Sequence, residues 1–173
     1  QERCGLSGFV SDPESHPLGT PSGKIEIASK SYALLGFSEI PTWRGFQPTS
    51  EHPLSLITPH ARYRINSQYA NDPWFVQREE QQLWMNPRDA GPRGIEQGRT
   101  VEVESPEGKL RISVRITEDV MPGVVCLLAG MWPRIGRDGL DTAGAANILT
   151  STVPTEPSCS SRTHSVAVRV RPV

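Results

Sequence analysis

A stretch without acidic residues is the first feature of the sequence with chemical meaning. From His52 to Asn71 the chain has no Asp or Glu, yet basic and polar side chains lie close together. Guanidinium forks, hydroxyls and backbone N–H groups at the end of a strand are donors that proteins offer to phosphate. The alternative is a solvated turn whose arginines pair with acids elsewhere in the chain. As an anion site, the segment has the candidate ligands Thr58, His60, Arg62, Arg64, Ser67 and Gln68.

A second segment, residues 142–155, contains no charged residue and is rich in small ones. Small residues let a backbone approach a flat ligand closely, and amides and hydroxyls can bond the heteroatoms of a ring. A plain loop with a turn-forming Asn explains the same composition, so both interpretations stand. Arg162 and His164 follow in another acid-free stretch, which favours a second cationic patch near the first. The candidate ligands in the second segment are Asn147, Thr150 and Ser151.

The rest of the sequence carries no catalytic signature. It lacks the glycine-rich phosphate loop, the dinucleotide fingerprint, the nucleophile elbow and the HExxH metal motif. The four His residues have no metal-ligand spacing, and Cys4, Cys126 and Cys159 are too far apart to define a disulfide framework or a metal site. We therefore predict no catalytic residue and no metal ligand in this chain.

Composition limits the class of protein further. A chain of 173 residues suggests one domain with a lead-in segment. With 18 Lys and Arg against 19 Asp and Glu, the net charge of −1 argues against bulk electrostatic binding to nucleic acid or to an anionic membrane. No apolar run approaches the ~18 to 20 residues that a bilayer span requires. The first residues include no Met and no apolar leader, which favours a piece of a larger protein.

The elements that would position the two segments are mostly short strands. Alternation of apolar and polar residues predicts a hairpin over 100–105 and 109–117, with a turn at Pro106 to Gly108. A brief helix should begin at Asn86-Pro87. Many short strands with few helices predict a closed or nearly closed β-barrel over residues 51–173, after a connecting arm over residues 1–50. Other predicted strands cover 24–28, 54–58, 83–85, 124–128 and 166–171, and a helical or loop stretch covers 31–35.

Five segments, taken in chain order, resemble one known family. Together they are similar to the C-terminal domain of the molybdopterin oxidoreductases of the dimethyl sulfoxide reductase family, which binds molybdopterin guanine dinucleotide. The resemblance covers nearly the whole chain and is nearest to the branch that reduces dimethyl sulfoxide and related S- or N-oxides. The segments are Thr20–Glu26, Leu56–Gln68, Leu83–Ala90 with Gly94, Ile95 and Gly98 after it, Met121–Val125, and Asn147–Thr155.

The resemblance implies a mainly β fold, a double-psi β-barrel with a few short helices. Its loops would hold the nucleotide arms of two pterins bound to one molybdenum. By analogy, the six candidates of the first segment, Thr58 to Gln68, would hold diphosphate and pterin groups. Asn147, Thr150 and Ser151 would meet the other arm.

The resemblance also implies a catalytic subunit that works by oxygen-atom transfer and of which this chain is an inactive fragment. The family's molybdenum ligand, and any iron–sulfur cluster, would lie in preceding domains. Those domains, an iron–sulfur electron-transfer subunit and a membrane-anchor subunit are the implied partners, in an extracytoplasmic or periplasmic complex of a prokaryote. Nucleic acid is not an expected partner.

Two alternatives stay open at this stage. The same domain could serve an enzyme for polysulfide, thiosulfate, arsenic compounds or formate. A non-enzymatic double-psi barrel could instead act as an adaptor that binds other proteins.

Overall fold

The computed structural model describes residues 7–43, 45–156 and 158–173. The chain divides into two compact units, Gln1–Gly45 and Phe46–Val173. Within the described part of the first unit there are two short helices, α1 (Ser7–Ser11) and α2 (Lys30–Leu34). At residues 31–35, where the sequence left a helix and a loop open, the structure has the helix α2.

The strand predicted at residues 24–28 is absent, and that prediction was wrong. Local hydrogen bonds occupy its first residue, because the Thr20 hydroxyl donates to the Lys24 carbonyl at 2.6 Å and the Lys24 N–H donates to the Ser22 hydroxyl at 3.3 Å. Ile25 and Ile27 are 66% and 79% exposed, so the alternating pattern covers no apolar surface within the unit. Short polar side chains that bond the backbone compete with strand pairing in this way.

The second unit is built around a closed barrel of six strands. Their order around the ring is β1, β5, β2, β4, β3, β8, and β8 closes onto β1. Two further strands, β6 and β7, form a separate hairpin, and two helices, α3 and α4, lie between strands. The bounds are β1 Leu54–Ile57, α3 Pro73–Val76, β2 Leu83–Met85, α4 Pro87–Ala90, β3 Thr100–Glu104, β4 Lys109–Ile116, β5 Val124–Cys126, β6 Ser151–Thr155, β7 Ser160–Arg162 and β8 Val166–Pro172.

Strand alternation explains the interior of the barrel. Val101 and Val103 on β3 are fully buried and pair with Ile112 and Leu110 on β4, as a strand with one apolar face requires. Parallel pairs, β1 with β5 and β2 with β4, interrupt an otherwise antiparallel ring, which an up-and-down barrel would not contain. The predicted mainly β class, the closed barrel and the few short helices are confirmed.

The outer face of the barrel carries an ion network. Glu104 on β3 accepts a hydrogen bond from Arg169 on β8 at 2.5 Å, and Lys109 lies 2.9 Å from its other carboxylate oxygen. These two partners hold the pKa of Glu104 at about 2, well below its usual range. The network therefore stabilises the pairing of β3 with its two neighbours.

The helix predicted at Asn86-Pro87 is present as α4, and Asn86 caps it. Its side-chain oxygen accepts from the Arg88 N–H at 3.0 Å, and its amide nitrogen donates to the Val120 carbonyl at 2.7 Å. A 3-10 turn, Gly91–Arg93, follows, and Gly94 ends it in the left-handed region with φ 63°. Across the described residues, no helix has the length and apolar character needed to cross a membrane.

Candidate functional site

Parallel pairing brings two strand ends, and the loops that follow them, to one end of the barrel. β1 and β5 run side by side in the same direction, with Ser55 opposite Val124. Beyond the strands the two segments remain hydrogen-bonded to each other. The Leu127 N–H donates to the Ile57 carbonyl at 3.1 Å, and the Ala129 N–H donates to the Pro59 carbonyl at 2.9 Å. The loop after β1, residues 58–67, therefore lies beside the loop after β5, residues 128–132.

A cavity of about 340 Å³ opens between these loops and the segments around residues 146 and 163. Its lining combines hydroxyl, amide and imidazole groups with small or backbone surfaces, and among the described residues it includes no Asp or Glu. The cavity can thus accept a negatively charged group without carboxylate repulsion. The lining residues are Thr58, His60, Asn66, Ser67, Ala129, Gly130, Met131, Ala146, Asn147, Thr163 and His164.

Thr58 links the end of β1 to the segment before β8. Its N–H donates to Nδ1 of His164 at 3.2 Å, and its hydroxyl donates to the Thr163 carbonyl at 2.7 Å. Because Nδ1 of His164 accepts a hydrogen bond, the ring proton resides on Nε2, which is therefore the nitrogen that can donate to a ligand. The acid-free end of the sequence thus lies beside the first segment, although Arg162 bonds the Pro154 carbonyl and is not among the lining residues.

Glycine at position 130 allows two lining loops to touch through their backbones. Gly130 has φ +88°, and a Cβ built there would lie 2.1 Å from the carbonyl oxygen of Asn66. Two residues later the indole N–H of Trp132 donates to the Ser67 carbonyl at 2.9 Å. Only glycine fits this approach, and the contact sets the width of the cavity on that side.

Arg64 is buried and is not part of the cavity lining. Its side chain is 3% exposed and lies 3.4 Å from the Glu79 carboxylate, while its Nη2 donates to Oε1 of Gln81 at 2.9 Å. Burial lowers the pKa of the guanidinium, and the Glu79 charge opposes that shift. Glu79 also accepts a hydrogen bond from the Arg62 N–H at 2.9 Å, so it holds this turn at two points.

Asp141 shapes the loop before Asn147. The residue is 1% exposed, and its carboxylate accepts three backbone N–H bonds, from Arg134 at 2.7 Å, Ala143 at 3.0 Å and Ala145 at 2.7 Å. A carboxylate that gathers three N–H groups fixes the course of the chain around it. The 3-10 turn Ala146–Ile148, which carries Asn147, begins directly after this anchor.

Four of the residues predicted from sequence, Thr58, His60, Ser67 and Asn147, come together in the lining. The other five lie outside it. Arg64 is buried against Glu79, and Arg62 is exposed, with its guanidinium 5.5 Å from the centre of the Tyr63 ring. The remaining three are Gln68, which bonds Ile65 through its backbone, Thr150, whose hydroxyl donates to the Asn147 carbonyl, and Ser151, which begins β6.

Sequence reasoning did not assign the other seven lining residues, although it named His164 as part of the second acid-free stretch: Asn66, Ala129, Gly130, Met131, Ala146, Thr163 and His164. It also missed Gln81, which bonds three segments around the cavity, and the anchor Asp141. The turn-forming Gly130 before a Trp-Pro pair was a signal for a tight loop, although nothing in the sequence showed what that loop approaches. Gln81 acts through two backbone carbonyls and the Arg64 guanidinium, and Asp141 acts through backbone N–H groups, so their roles leave no sequence pattern.

The arrangement offers several hydrogen-bond donors to an anionic, partly flat ligand. Ser67 and Thr163 bring hydroxyls, Asn147 brings an amide, and His60 and His164 bring imidazoles, whereas the Thr58 hydroxyl already donates to the Thr163 carbonyl. The close backbone approach at Gly130 and the absence of carboxylates among the described lining residues fit a phosphorylated nucleotide.

Comparisons with known proteins agree with this geometry. A family model described as the molydopterin dinucleotide binding domain matches residues 54–167. Dimethyl sulfoxide reductase of Haemophilus influenzae is 34% identical over 94% of this chain and 22% of its own length. Its Escherichia coli counterpart is 32% identical over 95% of this chain and 22% of its own length, and trimethylamine-N-oxide reductase of Haemophilus influenzae is 34% identical over 82% and 19%.

The fold also has a solved counterpart. Acetylene hydratase from Pelobacter acetylenicus superposes with a TM-score of 0.79 and 19% identity, over 94% of this chain and 25% of that one. At that identity the likeness concerns the fold alone. The chain spans about a fifth of the length of the curated relatives it matches, which have further sequence outside the matched region. Because the family model covers most of the barrel unit, including every lining residue of the cavity, this chain belongs to the molydopterin dinucleotide binding domain family.

Proposed function

We propose that the cavity holds the nucleotide part of molybdopterin guanine dinucleotide, in the catalytic subunit of a molybdenum oxidoreductase. The observation that carries this proposal is the convergence of Thr58, His60 and Ser67 with Asn147, from two distant segments, on one carboxylate-free cavity. Family membership supplies the class of cofactor. The residues that hold it are the part we propose.

Charge and size support the nucleotide as occupant. A dinucleotide carries a diphosphate, and hydrogen bonds to charged groups contribute about 1.5–3 kcal/mol each, so several donors are needed for tight retention. The described lining provides hydroxyl, amide and imidazole donors with no opposing acid. At about 340 Å³ the cavity lies near the lower end of the ~300–1,000 Å³ range of ligand sites, which suits one section of an extended cofactor.

The chain's own contribution is to bind and orient. When bound, the molybdenum and its pterin dithiolenes carry the redox chemistry. The hydroxyl of Ser67 and the amide of Asn147 would hold the nucleotide, and the Nε2–H of His164 would donate a further bond. Thr58 would hold residues 163 and 164 in place through the bonds it already makes to them. Fixing the nucleotide fixes the pterin to which it is joined.

For the whole protein we propose reduction of an S-oxide or N-oxide by oxygen-atom transfer, with electrons delivered by an iron–sulfur subunit held at a membrane by an anchor subunit. The relatives named as dimethyl sulfoxide and trimethylamine-N-oxide reductases support this branch. Turnover of polysulfide, thiosulfate, arsenic compounds or formate, with no turnover of dimethyl sulfoxide or trimethylamine N-oxide, would assign the protein to another reaction of the family.

The adaptor alternative is weaker. An adaptor would have its arginines buried in pairs with acids and would leave no room for an anion. The pairing of Arg64 with Glu79 agrees with the first of these two expectations. The second expectation fails, because the cavity stays open beside that pair and its described lining carries no acid. Cofactor binding accounts for both the buried pair of Arg64 with Glu79 and the open cavity beside it.

Titration of this chain with guanosine diphosphate tests the proposal. This probe supplies guanine, ribose and diphosphate without the pterin, and calorimetry gives its Kd. Asn147→Ala should raise the Kd about tenfold, as loss of one bond to a charged group predicts. Asn71→Ala, at an exposed asparagine outside the cavity, should change it less than twofold. Absence of binding at millimolar concentration, or equal affinity of both variants, would contradict the proposal.

A further inference from the structure

We infer that Gln81 is a positioning residue of the cavity, although it does not line it. A single carboxamide bonds three of the chain segments that frame the cavity. The inference rests on the proposed function for the identity of the ligand. Its geometry stands on contacts within this chain.

Three of the four hydrogen-bonding positions of the Gln81 carboxamide are used, including both of its N–H donors. Its Nε2 donates to the Leu128 carbonyl at 2.8 Å and to the Gly144 carbonyl at 2.9 Å, and its Oε1 accepts from Nη2 of Arg64 at 2.9 Å. These neighbours also fix which atom is oxygen and which is nitrogen, because two carbonyls require a donor and a guanidinium requires an acceptor. The side chain is buried, with 9% of its surface exposed.

Each of the three bonds lies next to lining residues. Leu128 directly precedes residues 129–131, which line the cavity. Gly144 precedes Ala146 and Asn147, and Arg64 lies between the lining residues His60 and Asn66. Displacement of the Gln81 side chain would therefore move every segment that lines the cavity except residues 163 and 164.

The approach at Gly144 shows how closely Gln81 is packed. Gly144 has φ +79°, and a Cβ built there would meet Cγ of Gln81 at 3.0 Å and Cδ1 of Ile112 at 3.0 Å. The loop before Asn147 thus passes directly over the Gln81 side chain. Two residues upstream of Gln81, Glu79 holds Arg64 and the Arg62 N–H, so the same extended segment anchors the neighbouring loop twice.

Other side chains of similar size cannot make this set of bonds. A planar group with two donors on one side and one acceptor on the other is required. Glutamate presents only acceptors when ionised, which places its oxygen against the carbonyls of Leu128 and Gly144. Methionine has similar volume and makes none of the three bonds, so Gln81→Met removes the connection without adding charge.

The test compares Gln81→Met with Asn86→Asp in this chain. Asn86 is also buried, and its amide also donates to a backbone carbonyl, that of Val120, away from the described lining of the cavity. Both substitutions lower stability by losing a buried carboxamide bond. Gln81→Met should raise the Kd for guanosine diphosphate by about tenfold, in the range seen when groups that orient ligand-binding residues are lost. Asn86→Asp should leave it within twofold.

Amide hydrogen exchange provides the second readout. Gln81→Met should increase exchange at residues 129–131 and 145–147 more than Asn86→Asp does at equal global stability. Equal Kd values and equal exchange in Gln81→Met and Asn86→Asp would overturn the inference. The proposed function would still stand in that case if the wild-type chain binds guanosine diphosphate. Failure of the wild-type chain to bind the nucleotide would refute the proposed function instead. If Gln81→Met does not fold, Gln81→Glu takes its place under the same criteria.

Discussion

Replacing Arg64 should destabilise the barrel through an unpaired buried acid. The Arg64 side chain is 3% exposed and that of Glu79 is 13% exposed, so Arg64→Met leaves the carboxylate with little water to replace its partner. It also removes the donor to Oε1 of Gln81. Breaking a buried pair on one side costs about 3–5 kcal/mol. Because Glu79 keeps some exposure and still accepts the Arg62 N–H, we expect the lower end, about 3 kcal/mol.

Urea denaturation followed by tryptophan fluorescence measures this loss as a shift in midpoint at unchanged slope. Arg62→Met is the matched control, because that side chain is exposed, and it should change the free energy of unfolding by less than about 0.5 kcal/mol. The double variant Arg64→Met with Glu79→Leu should recover more than half of the loss, since replacing both members of a buried pair leaves no unpaired charge. A loss below about 1 kcal/mol for Arg64→Met, or strict additivity in the cycle, would refute this reasoning.

Three further predictions concern other parts of the chain. Gly130→Ala should cost several kcal/mol more in urea than Gly139→Ala, because both have positive φ but only the first meets backbone, at 2.1 Å; equal losses would contradict the close approach. Glu104, with a pKa of about 2, stabilises the fold fully above about pH 5, so the advantage of wild type over Glu104→Gln should shrink as the pH falls toward 2; a pH-independent difference would contradict the ion network. Burial raises the pKa of Cys126 to about 11, so a maleimide at pH 8 should label exposed Cys159 in the native state and Cys126 only after unfolding, as mass spectrometry of the peptides would show.

Local patterns determined much of the barrel in advance. Apolar and polar residues alternate along the hairpin of β3 and β4 because one face packs against the core and the other faces water. The alternation therefore predicts both the strands and their buried face. The strand at 24–28 shows the limit of that reasoning, because alternation without a partner strand does not specify pairing. The hairpin of β6 and β7 has almost no alternation of apolar and polar residues and contains Pro154, so no sequence pattern predicted it.

The site was predictable in part for a similar reason. An acid-free segment signals where an anion can approach, and Thr58, His60, Ser67 and Asn147 follow from that signal. The sequence could not show that Arg64 turns inward, because its partner Glu79 lies in another segment and the pairing depends on how the barrel closes. The role of Gln81 depends on two backbone carbonyls and the Arg64 guanidinium, whose positions only the fold defines.

We propose that four distant segments form one nucleotide site. Titration of the ¹⁵N-labelled chain with guanosine diphosphate, followed by amide chemical shifts, tests it most directly. We predict saturable shifts at residues 58–67, 129–131, 146–147 and 163–164, with one common Kd. Shifts confined to one of these segments, or located at the opposite end of the barrel, would contradict it.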